Sequence, residues 1–402
     1  MTLQADFTSQ DFLRNPIAEI ERLRASGAVV EVSLPLIGSI WLTTTQELAD
    51  QVLKDSETFT LRLEGGELAG VPWWMPRIML LLVNNILTMD GPDHARLRQI
   101  ADEGFRRALP AIEPRIATIA AALADELFAD GSPADVVDRY ARNVPLAVIC
   151  ELLGLPSTDR PQFMRRANKL TTYSGALGML GLIPGLRAMR RYLERRMDAV
   201  HRDGGDGLLA EFVRAEQAGG GISRDEIVSM VFLLLFAGHE SAMHLISGSV
   251  YELVRKPESR DWLQADWSRG RVAVEEFLRF VTPVQFTKPR FVRRDVELSG
   301  VQLRRGDRIL AMLMAADMDP HANSQPEALD LQRRPNRHLA FGAGIHHCLG
   351  HQLARLQGRC ALEALFKRWP KLELAIPESD VQWRKRFGLR AIDRLPVVAE
   401  RR

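Results

Sequence analysis

A mainly helical fold carrying a few small β-sheets is what this sequence predicts, and three observations carry that expectation. Apolar residues recur at three- and four-residue intervals over most of the chain, the spacing of a buried helix face. Strand-like runs are short and few: Val29 to Val32, Ile40 to Thr43, the stretch from Arg290 to Val301, and the C-terminus. A loop with three glycines, Phe341 to Gly350, then leads into a further helical run.

The elements follow in order. Residues 17–26 read as a helix, the first two strands come next, and a helix spans Thr45 to Leu53. Residues 62–88 are apolar and irregular, with Trp73 and Trp74 as candidates to line a binding pocket. Asp90-Gly91-Pro92-Asp93 is a helix start, with proline in the first turn and acid at the positive end. Helices are expected at 110–130, 133–153, 158–175 and 186–203, with Pro184-Gly185 as a break. Gly204 to Gly207 and Gly219 to Gly221 are turns, and the second lacks the following Lys-Ser/Thr of a phosphate loop. Ser223-Arg-Asp-Glu226 is a capping box. It opens a long helix, apolar on all sides from Ile227 to Ala237, that should run through the core.

Composition bounds the function. The chain has 402 residues, 46% hydrophobic and 26% charged, enough for a large core. A net charge of +2 gives no electrostatic argument for a nucleic-acid partner. Three cysteines do not make a disulfide framework. Met1 to Pro16 lacks the apolar centre of a signal peptide, and the run Ile227 to Gly238 is too short to span a bilayer. These features predict a soluble, cytoplasmic protein without a membrane anchor.

The chemistry starts at Cys348. A helix should begin near it, because Leu349, Leu353, Leu356, Ala361, Leu362 and Leu365 recur at helical spacing. A sulfur at a helix N-terminus meets unpaired N–H groups and a positive dipole end, which favour thiolate. A thiolate in a glycine loop, seven residues after an aromatic, suits one axial ligand of a haem iron. Cys150 and Cys360 lie in apolar runs without such a loop and read as ordinary buried cysteines. His346, His347 and Cys348 lack the fourth ligand spacing of a zinc site.

The run resembles the haem-binding signature of the cytochrome P-450 family, with Phe341, Gly344, His346, Cys348 and Gly350 at the signature positions. The resemblance extends over nearly the whole chain, which favours one domain, 1–402, over the two or three that length suggests. It implies the cytochrome P-450 fold, with haem b between the long central helix and the cysteine loop. Cys348 would be the proximal ligand, with Phe341 and Gly342 packing near it and His346 reaching a propionate. His94 and Arg98, four apart, would read alone as a solvated surface pair; the family's His-x-x-x-Arg there binds a propionate. Arg290 matches the arginine that follows the strand Pro283-Val284-Gln285, although Lys288 and Pro289 make the spacing one residue long. Glu276 and Arg279 match a structural Glu-x-x-Arg pair, completed by Arg333, with Arg334 and Arg337 as alternatives.

Ala237 and Gly238 resemble the small residues that make room across the distal haem face. Glu240 and Ser241 fall at the acid–alcohol pair that delivers protons. Serine stands where the family usually has threonine. Lacking the methyl that restricts threonine's rotamers, it predicts looser coupling of oxygen reduction to product. Leu233, Ala237 and Val284 join the tryptophans as substrate-lining candidates.

The reading is a monooxygenase that inserts one atom of dioxygen into a small apolar molecule. The chain shows no flavin or nicotinamide fingerprint and no iron–sulfur cysteine cluster. Ferredoxin and ferredoxin reductase are therefore the expected electron source, docking on a basic face of Arg106, Arg107, Arg355, Arg359, Lys367 and Arg368. A peroxide-driven peroxygenase is a rival, opposed by the acid–alcohol pair. A haem-thiolate sensor is another, opposed by the lack of any appended regulatory module.

Overall fold

The computed structural model describes residues 2–34, 38–62, 76–172, 175–219 and 221–399. The chain divides into two compact units, one of residues 1–67, 121–141 and 241–402, the other of residues 68–120 and 142–240. The architecture is mainly α with small sheets, as the periodicity requires.

Among the described residues, the first unit holds all the sheets. Its largest has six strands in the order Leu3–Gln4, Val29–Leu34, Gly38–Thr43, Arg308–Ala311, Arg290–Val292, Phe59–Thr60. Val296–Leu298 and Val301–Leu303 form a hairpin through Ser299 and Gly300, whose φ angles of 53° and 80° suit the twist of a two-residue turn. The last sheet joins Leu372–Leu374, Pro396–Ala399 and Ala134–Asp135.

That third strand corrects the helix expected over 133–153. The Asp135 carboxylate accepts from the N–H of Val137 at 2.9 Å and of Leu395 at 3.0 Å. It thereby ties the segment to the C-terminal strand, and the helix proper covers only Asn143–Leu152.

Every described element of the second unit is helical. Pro184, predicted to break a helix, does not, and two further prolines also lie inside a helix. Helix Gly91–Asp125 continues through Pro110 and Pro114, and helix Gly175–Asp203 through Pro184. An interior proline costs about 3 kcal/mol. In each case an uninterrupted buried stripe offsets that: Leu97, Ala101, Phe105, Ala108, Ile112 and Ile116 in one, Leu182, Leu186, Met189, Leu193 and Met197 in the other. Of the stretch 62–88, the described residues 76–88 are more regular than expected, because Arg77–Val83 is helical and Ile86–Thr88 is a 3₁₀ turn. The Ser229 hydroxyl donates to the carbonyls of Leu81 at 2.7 Å and Asn84 at 3.1 Å, fixing that helix to the central one.

The central helix starts where its capping box predicts. Ser223 Oγ accepts from Glu226 N–H at 3.3 Å, and the Glu226 carboxylate from Ser223 N–H at 2.7 Å. Its α-geometry is interrupted by a π-turn over Leu234–Gly238 before resuming at His239–Arg255.

Candidate active site

The cysteine loop is shaped by two glycines. Gly342 and Gly344 have φ of 66° and 70°, in the left-handed region. A Cβ on Gly344 would lie 2.3 Å from the Leu53 carbonyl oxygen, so no other residue lets the loop approach helix Gln46–Lys54 this closely. Gly342 N–H donates to Leu339 O at 2.7 Å and Cys348 N–H to Phe341 O at 2.9 Å, closing the loop on itself. The following helix begins at His351, three residues beyond Cys348, with Gly350 as its N-cap. The thiol therefore belongs to the loop and not, as expected, to the first helical turn.

Cys348 is half-buried. Cys150, by contrast, is wholly enclosed, and burial pushes its thiol up to about 12, the inert state read from its sequence context. Among the described residues no group of His, Cys, Asp and Glu is arranged to hold a bare metal ion.

Ahead of the loop in the chain, Glu276, Arg279 and Arg333 meet. Both guanidinium groups share one carboxylate, Arg279 at 2.7 and 2.8 Å and Arg333 at 3.1 and 3.2 Å. One carboxylate cannot neutralise two cations in a buried site. The surplus is met by carbonyl oxygens: Asp317, Pro326 and Ala328 around Arg279, and Ser324, Gln325 and Ala328 around Arg333. Asn336 Nδ2 donates to the same carboxylate at 3.0 Å, a partner that the sequence did not signal.

Arg290 opens its strand, 2% exposed, with Nη1 donating to Phe59 O at 3.1 Å. Val284 is half-buried, bridges to Leu389 and packs against Ala49, Leu53, Ala311, Leu313 and Leu339. His346, in the 3₁₀ turn Gly344–His346, is half-buried too.

In the second unit, the central helix is buried from Ile227 to Phe232, but Ala237 and Gly238 are exposed. Beyond its chain neighbours and its own helix backbone, no atom lies within 4 Å of where a Gly238 Cβ would be. Solvent-facing alanine and glycine in the middle of a core helix mark a space that the chain keeps open. The π-turn produces it, because one extra residue per turn rotates the next side chains; such turns recur at functional sites.

His239, just past that turn, is 1% exposed, with Nε2 3.0 Å from Arg142 O. Burial lowers its pKa to about 4 against that bond, so it stays neutral. Glu240 is 5% exposed and Ser241 half-buried. His94 is buried; Arg98 Nε meets the Asp102 carboxylate at 2.9 and 3.1 Å. The four-residue spacing from Arg98 to Asp102 was the missed signal. Leu233 is half-buried beside the π-turn, whereas Trp73 and Trp74 lie outside the described residues.

A cytochrome P450 family model matches residues 271–382, which include the Glu276 cluster and the whole cysteine loop. The vitamin D(3) 25-hydroxylase of Pseudonocardia autotrophica is 36% identical over 98% of this chain and 96% of its own length. The 6-deoxyerythronolide B hydroxylase of Saccharopolyspora erythraea is 34% identical over 99% of both. This chain is a cytochrome P450. The solved cytochrome P450 PksS of the Bacillus subtilis 168 bacillaene polyketide synthase, 31% identical, superposes with a TM-score of 0.87 over 98% of this chain and 99% of its own.

Like its family, this P450 is a monooxygenase and carries haem b. The residues present fit that group. The loop leaves open space at Gly342 and Gly350 beside a partly exposed thiol, and the core helix leaves open space at Gly238. Within each unit taken by itself, small residues leave clearance of the kind a flat cofactor needs. The expected basic face is less bare than its sequence suggests. Arg355 pairs with Glu275, Lys367 with Glu363, Arg368 with Asp125, Arg106 with Glu103, and Arg107 with both Glu103 and Glu211.

Proposed function

We propose that this P450 hydroxylates a largely apolar small molecule with electrons from a ferredoxin and its reductase. Cys348 would be the proximal ligand, and the proposal covers the roles of the other site residues too. The observation that carries it is the self-closed glycine loop, in which the backbone N–H of half-buried Cys348 donates to the Phe341 carbonyl. The vitamin D(3) and 6-deoxyerythronolide B hydroxylases among its relatives support a bulky, mostly apolar substrate.

When bound, haem b with a thiolate ligand supplies dioxygen activation and oxygen-atom transfer. The chain's own residues do the rest. His94, Arg98, Arg290 and His346 would hold the propionate carboxylates, an arginine being able to offer two parallel donors. Ala237 and Gly238 leave room for ligand and water. Glu240 and Ser241 would pass protons inward, the Ser241 hydroxyl as donor and the Glu240 carboxylate resupplying it through water. Leu233, Val284, Trp73 and Trp74 line the substrate side. Glu276, Arg279 and Arg333 act structurally by fixing the segment before the loop.

Residues 1–402 would work as one catalytic domain in the cytoplasm, with relatives matched along nearly their whole length in support. The helical run Arg224–Arg255 is apolar and long enough to cross a membrane, but 67% of its apolar window is buried in protein, as in a core helix.

The test is the carbon monoxide complex of the reduced protein. It should show the strongly red-shifted Soret band of thiolate ligation. Cys348→Ala should abolish that band, while Cys150→Ala and Cys360→Ala keep it. A band that survives Cys348→Ala assigns the ligand elsewhere.

A further inference from the structure

Phe341 is ringed by charge-bearing side chains that the haem signature does not include. The Arg355 guanidinium lies over its face, 4.5 Å from the ring centroid. His338 and His351 approach its edge, each with ring centroids 6.0 Å away. Arg355 is held in that position. Its Nε and Nη2 donate to the two Glu275 oxygens at 2.6 and 2.9 Å, and Nη1 donates to His351 Nδ1 at 2.8 Å. His338 Nδ1 accepts from Ala340 N–H, so Nε2 donates to Glu275, 3.0 Å away. Burial alone would raise the Glu275 pKa, but hydrogen bonds from His338 and Arg355 hold it down to about 2. Glu275 is therefore charged at neutral pH, and the Phe341 carbonyl accepts from the Cys348 N–H.

We infer that the Arg355–Glu275 pair is a positioning and tuning device: it seats a cation on the Phe341 face and so sets the reduction potential of the thiolate-bound haem. A cation over an aromatic face is bound by the ring quadrupole, which fixes ring and charge together. Its field favours the state with one more electron, the electron coming from the redox partner. Glu275 offsets that field. The two residues thus act on the potential with opposite signs, which no packing role would produce. Glu275, His338 and Arg355 also line an open polar cleft of about 990 Å³, so solvent screens the pair in part.

The inference rests on Cys348 being the iron ligand. The experiment is an anaerobic dithionite titration of the purified holoprotein and its Arg355→Met, Arg355→Lys and Glu275→Gln variants. The reduced carbon monoxide spectrum is recorded for each. A thiolate-type band in the parent protein establishes the ligand reading independently of the potentials. At the applied potential that half-reduces the parent, Arg355→Met should be mostly oxidised and Glu275→Gln mostly reduced. Arg355→Lys, which keeps the charge, should stay near half. Should Arg355→Met fail to retain haem, the other two variants still decide. Shifts of Arg355→Met and Glu275→Gln in the same direction, or no shift in Glu275→Gln, overturn the inference.

Discussion

Asp317 shows what one buried carboxylate can report. It is wholly enclosed, and burial raises its pKa from 3.8 to about 7, against His338, the Leu339 N–H, Arg279 and the Thr282 hydroxyl. Its Oδ1 accepts from Leu339 N–H at 2.6 Å, two residues before Phe341, so the charge sits at the root of the cysteine loop. Because the folded pKa lies above the unfolded one, the contribution is full below about 4 and is lost as pH rises through about 7. Asp317→Asn keeps an oxygen for Leu339 but cannot ionise. Its stability should therefore gain on the parent's by up to about 1.4 kcal/mol for each pH unit between those limits. Denaturation midpoints of both proteins at pH 5 and pH 8 measure this. Equal pH dependence in the two would show that Asp317 ionises freely in the fold. No sequence pattern marks Asp317, since its burial comes from segments distant along the chain.

At the level of elements, the π-turn over Leu234–Gly238 explains why a uniformly apolar helix carries an exposed Ala237 and Gly238. The sequence shows the small residues but not the extra residue in the turn, because π geometry has no propensity signature. Gly238 also separates a structural from a functional role. A Cβ there would meet no atom within 4 Å beyond its chain neighbours and its own helix backbone. Gly238→Val should thus leave stability within about 0.5 kcal/mol, valine being no worse than glycine in a helix. It should nonetheless fill the space reserved for ligand. Thermal midpoint and the substrate-induced low- to high-spin change are to be measured together. An unchanged midpoint with a weakened spin change is expected. An undiminished spin change would mean that Gly238 does not border the ligand.

For the whole molecule, local signals proved more legible than their connections. The cysteine loop, the Glu276–Arg279 pair and the Ser223 capping box are short-range patterns, and each is formed. What the sequence hid depends on long-range packing. Helices pass through Pro110, Pro114 and Pro184 because their buried stripes outweigh the local penalty, and Asp135 is drawn into a sheet by the C-terminal strand. Surface charge follows the same rule. Six basic residues read as a docking face, but Arg106, Arg107, Arg355, Lys367 and Arg368 have carboxylate partners. A cation paired at short range acts at a distance as a dipole, whose field falls faster than that of a charge. Arg359, its stem packed near Gly270, has no ion pair among the described residues. If an acidic ferredoxin docks on this helix, Arg359 should contribute most per residue. Arg359→Glu should then lower kcat/KM for ferredoxin by about fivefold, equivalent to about 1 kcal/mol, with kcat at saturating ferredoxin preserved. Arg368→Glu should cost less, because Asp125 already offsets that cation. Turnover under limiting ferredoxin should also fall as salt rises, and less steeply in Arg359→Glu than in the parent. Equal losses in the two variants, or salt-independent turnover in the parent, would place the docking surface elsewhere.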